Sequence, residues 1–167
     1  RDAGHIALNA GIAGGADIIL IPEINYSLKS IAKHIEKIRS NGRNHALIVV
    51  AESVRKENGS KATVKFIDGQ VRLGGIGSYL GDEIYKLTGA ETRVTVLGHV
   101  QRGAQPTHRD RLIASAFGVY AVDLIAQDKF DRIVVWQNRS VTDVNLSSIA
   151  GYSKTVKIDD PLIKVAR

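Results

Sequence analysis

The 167-residue chain contains no cysteine, which excludes a disulfide framework and a thiolate metal site. This absence fits a reducing compartment, and we expect a cytoplasmic protein. Aromatic residues make up only 5% of the chain, too few for the base-stacking platforms of a nucleic-acid surface. No apolar run approaches the roughly 20 residues of a membrane-spanning helix, and we see no signal-peptide pattern. We therefore expect no nucleic-acid partner and no membrane contact.

The chain carries a formal net charge of +6, with a sequence pI of about 9.7. Its positive residues are scattered among acids rather than aligned along one helix, which favours a small anionic ligand over a nucleic acid. Methionine is absent, and the sequence opens at Arg1 directly before a helical pattern. We therefore expect a fragment of a longer protein.

One basic stretch, Glu91 to Arg111, organises the rest of the chain. Its β-branched and apolar start predicts a buried strand from Thr92 to Leu97. A loop flanked by glycines follows and contains His99 and Arg102, whose donors suit a phosphate. The alternative is a solvent-exposed connection from a strand to a helix, in which the charged side chains only keep the surface soluble.

Alternating apolar runs and helical patterns predict an α/β fold with a mostly parallel sheet and flanking helices. Polar segments are expected to be exposed, among them residues 54–61, and the tail after residue 136 is expected to be loop-rich. Four helices are predicted: one over 1–13, one that Ser27 caps and Asn41-Gly42 closes, one over 76–87, and one that starts at Thr107 and Asp110. The predicted strands are 17–21, 46–51 and 132–136. A hairpin is predicted over 62–73, with its turn at Asp68-Gly69.

A carboxylate stands at the end of the second predicted buried strand, at Glu52. Ligands of open α/β sheets bind beyond the carboxyl ends of strands, so Glu52 is placed to accept hydrogen bonds from a sugar hydroxyl. The alternative is a surface or helix-capping acid.

Two segments resemble the C-terminal half of 6-phosphofructokinase: ETRVTVLGHVQRG followed by DR, and the opening RDAGHIALNAGIAGGADIILIPE. The resemblance covers nearly the whole chain and departs at Ala104, where the family more often has a second glycine. It implies a phosphofructokinase-like fold. Residues 1–130 would form a sugar-phosphate-binding portion and residues 131–167 a C-terminal strand and tail, while the N-terminal donor-binding half would be absent.

The resemblance implies a glycolytic reaction in the full-length protein, transfer of a phosphoryl group to the 1-hydroxyl of fructose 6-phosphate. The product would be fructose 1,6-bisphosphate, and Mg²⁺ would accompany the donor. ATP is the commoner donor in the family, whereas residues 130–149 look more like branches that include pyrophosphate users. A third alternative is a non-catalytic module that binds a sugar phosphate.

The resemblance also assigns roles to single residues. His99 and Arg102 would hold the 6-phosphate, and Glu52 would bind sugar hydroxyls. Arg93 resembles the arginine that reaches the site of a neighbouring subunit, which implies a homo-oligomer with shared sites. Arg1 matches an arginine beside the transferring phosphoryl group, where it would stabilise developing charge.

The family's catalytic aspartate and its glycine-rich donor-phosphate loops match no segment of this chain. No G-x-x-x-x-G-K-[ST] motif occurs, and Gly14-Gly15 is more simply a helix stop. We therefore expect Mg²⁺ to be bound mainly by the absent half, with no metal ligand here, and this chain alone to be inactive.

Three further residues match an effector site found between subunits in some bacterial relatives: Asp17, Arg43 and His45. Each also has a structural explanation. Asp17 can cap the entry of a strand, and the other two flank a turn from a helix to a strand.

Overall fold

The computed structural model describes residues 2–65, 67 and 69–166, except for the side chain of Arg72. Two compact units divide the chain, one of Arg1–Val96 with Ser153–Arg167 and one of Leu97–Tyr152. The predicted division after residue 130 falls inside the second unit. That residues 1–130 form a sugar-phosphate-binding portion stays a prediction.

The described residues form five α-helices and six strands. The helices are α1 (His5–Ala13), α2 (Leu28–Ser40), α3 (Ile76–Thr88), α4 (His108–Ala126) and α5 (Pro161–Val165); the strands are β1 (Ile18–Leu20), β2 (Ile48–Val50), β3 (Thr63–Lys65), β4 (Val71–Leu73), β5 (Arg132–Gln137) and β6 (Ser140–Asn145). Strands β1 and β2 pair in parallel, whereas β3–β4 and β5–β6 are antiparallel hairpins. The α/β prediction is confirmed by the parallel pair and its helices.

The parallel pair in the first unit is covered on both faces, as its continuous apolar runs predict. Ile18, Ile48 and Val50 pack against the cluster that α2 and α3 supply. Ile19 and Val49 point to the opposite cluster, to which α1 and α5 contribute. The alternation follows from the two-residue period of a strand, and it places one helical layer on each side of the pair.

Helix α2 has the predicted apolar face, since Ile31, Ile35 and Ile38 are all buried. Ser27 occupies the N-cap position, but its side chain makes no capping hydrogen bond. A carboxylate from a distant loop caps the helix instead, because Glu57 Oε1 accepts a hydrogen bond from the Leu28 amide at 2.9 Å. The helix start is therefore stabilised by a tertiary contact.

The predicted strand from Thr92 to Leu97 is wrong. The segment lacks strand pairing in the described structure and is exposed throughout. Its start instead lies against helix α3, where a Cβ added at Gly77 would stand 2.8 Å from Val94 and one added at Gly81 would stand 2.9 Å from Thr92. A strand needs a hydrogen-bonding neighbour as well as β-branched residues, and none lies beside this segment in the described residues.

Helix α3 ends as predicted at Gly89, which adopts a left-handed conformation. Ile76, Leu80 and Ile84 are buried, but Leu87 is 46% exposed and does not join the predicted apolar face. The hairpin over 62–73 is present as β3 and β4. Asp68 of its predicted turn lies outside the described residues.

The second unit contains α4 and the β5–β6 hairpin. Thr107 and Asp110 form the capping box that the sequence predicts, each side chain accepting a hydrogen bond from the backbone of the other. On the predicted apolar face of α4, Leu124 is buried and Ile113, Phe117 and Tyr120 are half-buried.

The tail is more regular than its polar composition predicts, since it contains β6 and α5. Strands β5 and β6 are joined at Asn138 and Arg139, which both have positive φ, as a tight primed turn requires. Asp143 on β6 accepts hydrogen bonds from Tyr120 at 2.8 Å and from Arg132. These bonds hold the pKa of Asp143 below its usual value. In the described part of the chain, no helix is long and apolar enough to cross a membrane.

Candidate functional site

The basic loop of the sequence folds as one short 3₁₀ helix over Gly98–Arg102, here called the basic turn. Backbone hydrogen bonds from Val100 to Leu97 and from Gly103 to Val100 close it, at 3.1 and 3.0 Å. Gly98 has φ +52°, a conformation that side chains other than glycine rarely adopt, whereas Gly103 has an ordinary right-handed backbone. Only the first of the two flanking glycines is therefore required by the backbone geometry.

The basic turn places His99 and Arg102 on one face. A 3₁₀ helix has three residues per turn, so side chains three positions apart are eclipsed. Both side chains are exposed, and neither makes a hydrogen bond or an ion pair with the described residues. Two free cationic or proton-donating groups on one face can bind a single phosphate with charge-assisted hydrogen bonds.

Glu52 lies in the turn that follows β2, beyond the carboxyl end of the parallel pair. Its side chain is exposed and makes no hydrogen bond with the described residues. The helix-capping alternative is therefore not what the structure shows, because Glu57 is the acid that serves α2. Both carboxylate oxygens of Glu52 are available to accept hydrogen bonds.

Arg93 is a highly exposed member of the predicted site residues. Its guanidinium pairs with Glu91 at 3.2 Å, while 88% of its side chain remains exposed to solvent. Such a surface ion pair is weak and offers little resistance to a competing anion. Glu52 and Arg93 belong to the first unit, and His99 and Arg102 belong to the second.

The three predicted effector residues are close together and contact one another. Arg43 donates to both carboxylate oxygens of Asp17, at 2.6 and 2.9 Å, and to the backbone carbonyl of His45 at 3.4 Å. Asp17 also accepts a hydrogen bond from the Leu47 amide at 2.8 Å. These contacts, foremost the one from Arg43, hold the pKa of Asp17 below its usual value. They explain the side chains of Asp17 and Arg43 structurally, whereas His45 contributes only its backbone carbonyl, and binding of an effector there stays a prediction.

Arg1, the predicted transition-state residue, lies outside the described residues. The described residues include no group of three or more His, Cys, Asp or Glu side chains that could hold a metal ion. The expectation that Mg²⁺ is bound mainly by the absent half stays a prediction.

A small cleft beyond the carboxyl ends of β1 and β2 was not predicted from the sequence. Its volume is about 240 Å³. We call it the β1–β2 cleft, and its described lining residues are Asp2, Pro22, Ser53, Arg55, Lys61 and Leu73. The signal that could have located it is Asn58-Gly59, a turn dipeptide that brings Arg55 beside Lys61.

Comparison with known proteins places this geometry in a family. A family model described as phosphofructokinase matches residues 1–125. An ATP-dependent 6-phosphofructokinase 1 from Nostoc sp. is 54% identical over the whole chain, and one from Synechocystis sp. is 52% identical. A pyrophosphate–fructose 6-phosphate 1-phosphotransferase from Dictyoglomus thermophilum is 40% identical over 161 residues, which cover 93% of this chain and 46% of that protein. The chain spans 46% of the length of the Nostoc and Synechocystis relatives.

A solved structure supports the same relationship. The crystal structure of Pichia pastoris phosphofructokinase in the T-state matches with a TM-score of 0.65 at 30% identity, covering 89% of this chain and 16% of that one. The family model spans residues 1–125, which include the parallel pair and the basic turn. The chain belongs to the phosphofructokinase family.

Proposed function

We propose that this chain supplies the fructose 6-phosphate side of a phosphofructokinase that makes fructose 1,6-bisphosphate. The observation that carries the proposal is the basic turn, where His99 and Arg102 share one face and have no partner among the described residues. Two hydrogen-bond donors that have no partner among the described residues, on a turn that begins with a glycine, are suited to bind a phosphate dianion.

The chemistry proposed for this chain is mainly binding and orientation. His99 and Arg102 hold the 6-phosphate, and Glu52 accepts hydrogen bonds from sugar hydroxyls. Arg1 is proposed to stabilise charge on the transferring phosphoryl group, as a fixed guanidinium does in phosphoryl transfer. Acceptance of the hydroxyl proton and the main contacts to the Mg²⁺-bound donor are assigned to the half of the family that this chain does not match.

ATP is the proposed donor, because the relatives with 54% and 52% identity are both named ATP-dependent. A pyrophosphate-dependent enzyme is the second candidate, and it is favoured by the relative from Dictyoglomus thermophilum that carries that name. The two differ only in the donor, so the proposed role of the basic turn is the same in both.

The first prediction is that the full-length protein forms fructose 1,6-bisphosphate from fructose 6-phosphate and ATP. The 167-residue chain alone should show no turnover, since proton acceptance and the main donor contacts are assigned elsewhere. A coupled assay with ATP or pyrophosphate as donor measures both. Turnover with pyrophosphate alone would select the second candidate, and binding of the sugar phosphate without turnover by the full-length protein would favour a non-catalytic module.

The second prediction concerns assembly. We propose a homo-oligomer in which Arg93 reaches the substrate of a neighbouring subunit, a role compatible with its 88% exposed side chain. Arg93→Ala subunits are mixed with Arg102→Ala subunits and assayed at a fructose 6-phosphate concentration below the Michaelis constants of both variants. Part of the activity should be restored in the hybrid oligomers. Hybrids verified by mass that remain as inactive as the two parents would argue against shared sites.

A further inference from the structure

We propose that the β1–β2 cleft binds a phosphate group through Arg55, Lys61 and Ser53. This inference rests on the proposed function for its choice of ligand and adds residues that the family resemblance does not assign. Because the one phosphate of fructose 6-phosphate is assigned to the basic turn, the phosphate in the cleft is proposed to belong to the phosphoryl donor. ATP and pyrophosphate present the same phosphate chemistry to the cleft.

The position of the cleft favours a ligand. Pro22 follows β1 and Ser53 follows β2, so the cleft lies at the carboxyl edge of the parallel pair, where ligands of open α/β sheets bind. Glu52, the proposed partner of sugar hydroxyls, directly precedes Ser53 in the chain. A volume of about 240 Å³ is below that of a drug-sized pocket and suits one small polar group.

Two cations are held side by side in the cleft wall. Arg55 and Lys61 form an antiparallel bridge, closed by the turn at Asn58-Gly59, in which Gly59 has φ +80°. Side chains directly opposite each other in such a pair lie close together, and like charges there are destabilising. An anion between the two side chains relieves that repulsion.

The donors of both cations remain largely available. Arg55 donates one guanidinium N–H to the Gly59 carbonyl at 3.2 Å, and its other guanidinium donors have no partner among the described residues. Lys61 makes no side-chain hydrogen bond or ion pair with the described residues. Asp2 is the one described acid in the lining, so the described walls carry two positive charges and one negative charge.

Ser53 supplies an independent observation. Its Oγ is buried and makes no hydrogen bond with the described residues. A buried hydroxyl without a partner is costly, and native proteins rarely keep one without a reason. A phosphate oxygen in the cleft would accept the hydrogen bond that this hydroxyl is able to donate.

The third prediction tests the cleft in the full-length protein. Lys61→Ala should raise the Michaelis constant of one substrate about ten-fold, and Arg55→Ala with Lys61→Ala roughly a hundred-fold, because charge-assisted hydrogen bonds are lost. The rise is expected for ATP or pyrophosphate, and a rise for fructose 6-phosphate alone would overturn the assignment of the cleft to the donor. Lys65→Ala is the matched control, since Lys65 is an exposed lysine of β3 that does not line the cleft.

A direct measurement separates this inference from the proposed function. Inorganic phosphate is titrated calorimetrically into the full-length His99→Ala, Arg102→Ala protein, which lacks both groups of the basic turn. Phosphate should still bind to this protein, and its affinity should fall at least ten-fold when Lys61→Ala is added. Adding Ser53→Ala should also lower the phosphate affinity, while the melting temperature stays equal or rises. If the Lys61→Ala and Arg55→Ala variants matched the Lys65→Ala control in phosphate affinity and Michaelis constants, the inference would be overturned. This holds whether or not the protein turns over fructose 6-phosphate.

Discussion

Replacing Arg102 with alanine is expected to raise the Michaelis constant for fructose 6-phosphate roughly ten- to a hundred-fold in the full-length enzyme. Charge-assisted hydrogen bonds contribute about 1.5 to 3 kcal/mol each. Arg102 has no partner among the described residues that would compete with the phosphate for its guanidinium group. Because the 6-phosphate is remote from the reacting hydroxyl, its binding should be equal in the ground and transition states. Turnover and the Michaelis constant for the donor should therefore change little, which steady-state kinetics will measure.

Two further substitutions and a control make the result specific. Arg102→Lys keeps the charge but loses the fork geometry, so its effect should lie between those of arginine and alanine. His99→Ala should act in the same direction more weakly. Arg109→Ala removes the same charge from an exposed position in the first turn of α4 and should leave the Michaelis constant unchanged. If Arg102→Ala altered only the melting temperature, the basic turn would be structural and the proposed function would lose its main support.

The second large effect is expected from Gly4→Ala in the first unit. A Cβ at this position would overlap Ile21 and stand 2.8 Å from Glu23 Oε2. Glu23 accepts hydrogen bonds from the amides of Gly4 and Val156, at 3.0 and 2.8 Å from Oε1, and so links the start of α1 to the C-terminal segment. Overpacking together with disturbed hydrogen bonds should lower the free energy of unfolding by about 2 to 5 kcal/mol.

Thermal unfolding followed by circular dichroism measures this effect, and the melting temperature should fall by roughly 5 to 15 °C. Gly118→Ala is the control. Gly118 lies inside α4, where an added Cβ has nothing within 4 Å, so alanine should stabilise the helix by about 0.5 to 1 kcal/mol. A Gly4→Ala protein that melts as high as the Gly118→Ala protein would show that α1 can shift to admit the methyl group.

The elements that the sequence predicts correctly are those specified by local signals. Helix α2 follows from the spacing of Ile31, Ile35 and Ile38, which are all buried. The start of α4 follows from Thr107 and Asp110, because a capping box needs only residues three positions apart. The covered strands β1 and β2 follow from short, continuous apolar runs, which are typical of a parallel sheet buried on both faces.

The errors occur where a distant partner decides the outcome. Thr92 and Val94 have strand composition but lie against α3 without a neighbouring strand in the described structure, so their β propensity alone does not make a strand. Strand β6 was missed because its polar residues are stabilised by pairing with β5 and by the contacts of Asp143 with Tyr120 and Arg132.

The sequence by itself determined the family, the hydrogen-bond donors of the basic turn and the carboxylate at Glu52, because these depend on residue identity and order along the chain. Only the tertiary structure decided that Arg43 is paired with Asp17, while His99 and Arg102 share one face of a 3₁₀ turn and have no partner among the described residues. It also decided that Arg55 and Lys61 meet beside a buried hydroxyl in the β1–β2 cleft. The physical reason is that pairing and burial depend on distances between residues that are remote in sequence, which hydrophobic periodicity does not encode.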